Sequence, residues 1–374
     1  MDEVQSKTDG DPVSSGPSGV VVPILDGAVS QVTQLPPELD AEVRIAKDSE
    51  RPLDERLEAF ENVLESEVGD TRLARARNIE RETSLRQLYL KFDGGNPTGT
   101  QKDRIAFAQA MDAMRRGFDT VTAATCGNYG AALALAASFA GLRCKVFVPS
   151  GYVVRRAQEI AGYGAEIITV EGDYEAAVGR SREVAGEGEL YDANPGGANT
   201  SIQLRGYGEI AYEIYDELRD APAAVAVPVS NGTTLAGIYR GFLSLYRRGK
   251  TSRVPRIIAG SSYQKNPIVQ SFLSGSESCE DLDPKKIRET AVNEPLINWH
   301  SIDGDLALEA IRMTDGWAAY ASDRSMSKFS RLISSSEGLS VLPASTAGLI
   351  ALLDEGRRQE LANDRYVVVL TGRR

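Results

Sequence analysis

Apolar positions along this chain switch repeatedly between two periods. From Leu88 onward, short runs rich in β-branched residues alternate with Ala-rich segments of helical spacing. The runs "LYLKF", "TVTAAT", "CKVFVPS", "EIITVE", "AVAVPVS", "RIIAGSS" and "YVVVLT" predict strands. Between most of them, segments such as "RIAFAQAMDAMRRG", "GAALALAASFAGL", "YVVRRAQEIAGYG" and "YEAAVGRSREVAG" predict helices. "LDERLEAFENVL", Leu53 to Leu64, predicts an earlier helix. Gly117, Gly141 and Gly164 stand where left-handed C-terminal caps are expected. Alternation of this kind implies an α/β fold with parallel sheets and helices on both faces. Ligands in such folds bind at the carboxyl ends of strands, so the strand-to-helix turns are where chemistry is expected.

Two stretches break the pattern. Residues 1–37 are rich in Ser, Gly, Asp and Pro around one apolar island, "VVVPIL". They read as a flexible N-terminal tail whose island docks on the body or on a neighbouring subunit. Ser274 to Pro295 is polar and reads as a surface excursion or a lid.

Composition narrows the function classes. A formal charge of −11 argues against a general nucleic-acid binder. It leaves anionic ligands open, because backbone N–H groups bind phosphate without net positive charge. Cys126, Cys144 and Cys279 show no metal-ligand spacing and form no disulfide framework, so no metal is expected and the compartment reads as reducing. No apolar run reaches the length of a membrane span, and the acidic start does not resemble a signal peptide. The expectation is a cytoplasmic protein.

Four turns follow strands and carry the candidate chemistry. "NPTGTQKDR", Asn96 to Arg104, sets Lys102 at the mouth of a helix behind small polar residues. "TCGNYG" spans Thr125 to Gly130, and "LTGRR" ends the last strand. "VSNGTTLAG" offers Ser230, Asn231, Gly232, Thr233 and Thr234 at a helix start. The helix dipole and unhindered N–H groups there suit a phosphate, although a plain N-cap is the competing reading. The segment lacks the Lys-Ser/Thr ending of a nucleotide P-loop and the dinucleotide glycine spacing. A lysine amine and a phosphate cradle in separate turns are what a pyridoxal phosphate site requires.

The motifs also carry a resemblance. "NPTGTQKDR" resembles the lysine segment of threonine synthases, members of the fold-type II (tryptophan synthase β-like) pyridoxal phosphate enzymes. "TCGNYGAALA", "VPVSNGTTLAGIYRGF", "GLSVLPASTAGLIAL" and "EVGDTRLARA" are similar to four further family segments, in the family's order. The resemblance implies two doubly wound domains. Residues 38–104 and 200–374 would form the large cofactor-binding domain and 105–199 a small mobile domain. It implies that Lys102 forms the Schiff base with pyridoxal 5′-phosphate and shuttles protons. It places Asn128 on the pyridoxal 3′-oxygen, Ser230 to Thr234 on the phosphate and Thr371 on the ring nitrogen. Thr125, Cys126 and Tyr129 would meet the substrate carboxylate.

Departures from the family pattern bear on the substrate. Gln101 replaces an aromatic, Leu342 stands where Glu is frequent, and Arg205 in "NPGGANTSIQLRGYGE" is displaced from the arginine that holds the substrate phosphate. The resemblance implies elimination or replacement at the β- or γ-carbon of a phosphorylated amino acid, O-phosphohomoserine to threonine first. Alternatives are β-replacement on O-phosphoserine or O-acetylserine by sulfite or sulfide, serine or threonine dehydration, and a non-catalytic metabolite-binding relative. A homodimer is also implied. Outside the motifs, His300 is expected to cap a turn or pack on Trp299, and Tyr263 to line the pocket or pack at its rim.

Overall fold

A computed structural model describes residues 37–83, 85–125, 127–150 and 155–374. The N-terminal island and Cys126 therefore lie outside the described residues. Ten strands form two sheets. The strands are β1 (Leu73–Arg75), β2 (Leu88–Phe92), β3 (Thr120–Ala124), β4 (Arg143–Pro149), β5 (Glu166–Val170), β6 (Tyr191–Asp192), β7 (Ala224–Pro228), β8 (Arg256–Ser262), β9 (Trp317–Ala321) and β10 (Tyr366–Leu370).

The six-stranded sheet has the order β1-β2-β10-β7-β8-β9, and the four-stranded sheet β5-β4-β3-β6. All pairings are parallel except β1 with β2. Strands β7 and β10 are buried along their whole length. That is why "AVAVP" and "YVVVL" are continuous apolar runs without alternation: helices cover both faces. All four strands of the smaller sheet fall within 105–199. Helices Pro37–Lys47 and Leu53–Glu67 pack on helices Asn128–Ala140 and Lys102–Arg115.

The seven expected strands all form, and Gly117, Gly141 and Gly164 all have positive φ. Three strands were not foreseen. "WAAYA" became β9 although Ala favours helix, because its backbone completes the edge of β8. β1 and β6 are only three and two residues long, too short for a period. Among the described residues of "YVVRRAQEIAGYG", the helix runs Ala157–Gly162.

The long helix Thr200–Leu218 lies against Thr233–Arg247. Gly237 permits that approach: a Cβ there would sit 2.6 Å from Tyr207 Cβ and 2.8 Å from the Leu204 carbonyl oxygen. The close crossing carries Tyr207 under the Lys102 turn.

Candidate active site

The four turns meet in one cavity of about 360 Å3. Lys102, Thr125, Asn128, Tyr129, Ser230, Asn231, Gly232, Thr233, Thr234 and Thr371 all line it. Each follows the carboxyl end of a strand, from both sheets, as parallel topology requires.

Lys102 begins the helix Lys102–Arg115. Its Nζ makes no hydrogen bond or ion pair with a described residue. It lies 5.8 Å from the centre of the Tyr207 ring and 6.0 Å from that of Tyr129. The amine is thus held between two aromatic faces and left available as a nucleophile.

The turn before it is fixed from three sides. The Thr98 N–H and hydroxyl donate to Asp103 at 3.0 and 2.8 Å. Burial pushes the Asp103 carboxyl up to about 7, against the Thr98 hydrogen bonds and the Arg156 charge. The C-terminal segment closes over the same turn. The Gln101 N–H donates to the Thr371 carbonyl at 2.9 Å, and the Arg373 guanidinium donates to the carbonyls of Gly94 and Pro97. The terminal Arg pair had carried no role in the sequence reading; Arg373 is a brace for the lysine turn.

A buried charge network anchors the helix that starts at Lys102. Arg104 donates to Asp93 at 2.8 Å and to Glu213 at 2.5 Å, and Lys91 pairs with Glu213. Burial disfavours the Arg104 guanidinium, but Asp93 and Glu213 outweigh it and raise its pKa. Burial also opposes the Glu213 carboxylate, yet Arg104 and Lys91 bring it down to about 2.

The expected phosphate cradle is the turn between β7 and helix Thr233–Arg247. Gly232 has φ +96°, and a Cβ would lie 2.6 Å from the Asp303 carbonyl oxygen. The helix start has no side-chain cap, so its N–H groups remain for an anion. The loop is held from behind. Asn266 donates to the Ser230 carbonyl at 3.0 Å, and Asn298 donates to Asn231 Oδ1 at 2.9 Å. The Thr233 hydroxyl does not face the cavity as a donor; it gives its proton to Asp303. Its backbone N–H is what the cradle gains.

Other expected contacts are refined in the same way. Asn128 Oδ1 accepts from Arg156 at 3.0 Å, which leaves the Asn128 amide NH2 without a partner among the described residues. Thr125 Oγ accepts from the Gly127 and Gly130 N–H groups, so its own proton is left to donate. The Tyr129 hydroxyl is spent on the Ala193 carbonyl and Gln109; only its ring and backbone face the cavity.

Three residues escaped the sequence reading. Ser345 Oγ sits 3.1 Å from Thr371 Oγ1 and lines the cavity; it lies inside "LPASTAG", which signalled it. Arg156 joins the lysine turn to Asn128, donating to the Thr98 carbonyl at 2.9 Å. Tyr207 is fully buried, and its hydroxyl has no hydrogen-bond partner among the described residues. No local pattern marked Arg156 or Tyr207.

Arg205 is exposed and outside the lining. Tyr263 is also exposed and stacks edge-on with Tyr320 at 5.4 Å. His300 packs 5.7 Å from Trp299, and its Nδ1 lies 2.8 Å from Asp281. The polar stretch Ser274 to Pro295 folds back to the mouth of the cavity and contributes Pro284, Ile287, Glu289 and Glu294 to its walls. No described helix is long and apolar enough to cross a membrane.

Comparison with known proteins accords with this geometry. The family model described as "Pyridoxal-phosphate dependent enzyme" matches residues 64–372. The threonine synthase of Methanocaldococcus jannaschii is 32% identical over 309 residues, covering 81% of this chain and 74% of that protein. A pyridoxal 5′-phosphate-dependent aspartate racemase superposes with a TM-score of 0.69 at 20% identity, covering 84% of this chain and 94% of the racemase. A threonine deaminase from T.th. gives a TM-score of 0.69 at 20% identity, covering 84% of this chain and 96% of the deaminase. Likeness at that identity speaks for the fold.

Proposed function

Because the chain belongs to the pyridoxal-phosphate dependent enzyme family, we propose that Lys102 holds the cofactor covalently for elimination or replacement at the β- or γ-carbon of an amino acid. One observation carries the reading. The unbonded Lys102 amine opens into the same cavity as the uncapped start of helix Thr233–Arg247, whose entry at Gly232 takes a positive φ and packs against the Asp303 carbonyl. When bound, pyridoxal 5′-phosphate supplies an electron sink that makes the substrate Cα proton removable.

The protein's part is to hold and to move protons. The N–H groups of Gly232, Thr233 and Thr234 hold the phosphate, with the Ser230 and Thr234 hydroxyls beside them. The Asn128 amide, aimed by Arg156, donates to the pyridoxal 3′-oxygen. Thr371 and Ser345 present hydroxyls to the ring nitrogen. A hydroxyl, unlike a carboxylate, would not hold that nitrogen protonated. Thr125 and the N–H groups of the "TCGNYG" turn meet the substrate carboxylate. Lys102 Nζ takes the Cα proton and returns one at the β-carbon. Motion of the smaller-sheet unit, 105–199, against the remainder would exclude water during the reaction.

Borohydride reduction followed by digestion and mass measurement tests the assignment. A pyridoxyl adduct on the peptide containing Lys102 is expected; its absence, or an adduct elsewhere, refutes it. Threonine formation from O-phosphohomoserine is the first reaction to assay, because the lysine segment and the M. jannaschii relative favour it. β-Replacement on O-acetylserine is the second, favoured by the position of Arg205 outside the cavity. The homodimer implied by the resemblance is part of the same reading, and sedimentation velocity measures it.

A further inference from the structure

The walls of the cavity beyond Lys102 are strongly one-signed. Asp173 and Glu175 line it from the start of helix Tyr174–Glu187, and Glu289 and Glu294 line it from the stretch that folds over the mouth. Lys102 is the only cation among the described lining residues. The side chains of Glu175, Glu289 and Glu294 make no hydrogen bond or ion pair with a described residue. Guanidinium groups nearby do not reverse the sign. Arg156 is occupied by Asn128, Thr98 and Glu159. Burial raises the Glu175 and Glu294 carboxyls above the usual range, while the exposed Arg155 beside Glu294, and His300 and Arg182 near Glu175, favour their ionised forms from outside the lining.

A second observation points to a ligand in the same space. The buried hydroxyl of Tyr207, the residue under the Lys102 turn, has no partner among the described residues, and Tyr207 is part of the cavity wall. A buried unpartnered hydroxyl is costly unless a bound molecule completes it.

We infer that this mouth excludes phosphate esters, and that the substrate is an α-amino acid whose β- or γ-substituent is uncharged or cationic. The inference rests on the proposed elimination or replacement reaction and sets the charge of the cavity walls against the phosphorylated substrate that the lysine segment favours. A phosphate ester would bring a dianion toward four carboxylates with no arginine in the walls to receive it. Like charges placed together in a partly dry cleft disfavour binding strongly. An ammonio or hydroxyl group meets the same walls as acceptors. The step balances without a further reactant. For a β-substituent the Cα proton passes to Lys102 Nζ, a double bond forms between Cα and Cβ, and the bond to the substituent breaks with its electron pair; for a γ-substituent a β-hydrogen is removed as well and the double bond forms between Cβ and Cγ. An ammonio group departs as ammonia. A hydroxyl takes the proton from Lys102 and departs as water.

The test compares kcat/KM of the cofactor-loaded enzyme across matched substrates. O-Phosphoserine is set against serine, O-acetylserine and 2,3-diaminopropionate; O-phosphohomoserine is set against homoserine, O-acetylhomoserine and 2,4-diaminobutyrate. The best non-anionic substrate is expected to exceed its phosphorylated counterpart by about tenfold or more. Glu289→Gln combined with Glu294→Gln is expected to narrow that ratio by about tenfold, chiefly through KM of the phosphate ester. Glu289→Lys, at an exposed position, repeats the measurement without disturbing packing. Added salt is expected to narrow the ratio in the unsubstituted enzyme. Preferred turnover of a phosphate ester, or a ratio unmoved by both variants, overturns the substrate class and leaves the reaction standing. If no substrate of either set is turned over while Lys102 carries the reducible cofactor, the reaction itself is wrong and the substrate class falls with it.

Discussion

The floor of the cavity is made by turns that leave parallel strands, whereas its mouth is made by an irregular stretch and the start of one helix. The floor is tied down on every side. Asp103, Arg104, Arg156 and Arg373 each bond more than one neighbour around the Lys102 turn, and Asn266, Asn298 and Asp303 hold the cradle from behind. The mouth carries charge with few bonds: Glu289 and Asp173 are exposed, and Glu175 and Glu294 lack side-chain partners among the described residues. The floor fixes the turn that carries the reactive amine. The mouth sets which molecules reach it. Chemistry common to a family can therefore persist while selectivity changes at a few surface carboxylates.

Substitutions separate the two regions. The largest effect is expected at Lys102→Ala, which removes the reducible cofactor adduct and lowers elimination by about a thousandfold or more, read by mass measurement and turnover. Arg104→Met leaves Asp93 buried without its cation and Glu213 with Lys91 alone, and urea unfolding should show a loss of about 3–5 kcal/mol. Gly232→Ala forces a Cβ against the Asp303 carbonyl at positive φ and should weaken cofactor affinity by about tenfold, measured by absorbance titration.

The network at Glu213 also predicts a pH dependence. Its carboxyl titrates at about 2 in the folded protein against an ordinary 4.5, so the folded state prefers the ionised form. The stability it confers is complete above about 4.5 and is lost as pH falls toward about 2. Glu213→Gln should flatten the stability profile across that window in chemical denaturation series. The smallest stability effect belongs to the mouth. Glu289→Gln should change unfolding free energy by less than about 0.5 kcal/mol, because an exposed residue without partners supports no packing. A larger loss would mean that the mouth is as structural as the floor, and the contrast would fail.

Much of the floor was legible beforehand because turn chemistry is local. A glycine with positive φ, small hydroxyl residues at a helix start and a lysine behind "NPTGTQ" are consequences of a few adjacent residues. Seven strands were legible because burial on both faces leaves continuous apolar runs. β9 was not, since Ala-rich "WAAYA" has no strand period of its own and takes its conformation from β8.

The residues that refine the site belong to another order. Arg156 reaches Asn128 across 28 positions, Ser345 meets Thr371 across 26, and Glu213 joins Arg104 across 109. The sequence by itself determined the alternation of strands and helices, the four turns and the amine that the chemistry needs. Only the tertiary structure decided that Thr233 gives its hydroxyl proton to Asp303, that Arg205 faces solvent, and that Glu289 and Glu294 stand over the entrance. The physical reason is range: backbone conformation is set within a few residues, but the sign of a cavity's electric field is set by groups that meet only after the chain has folded.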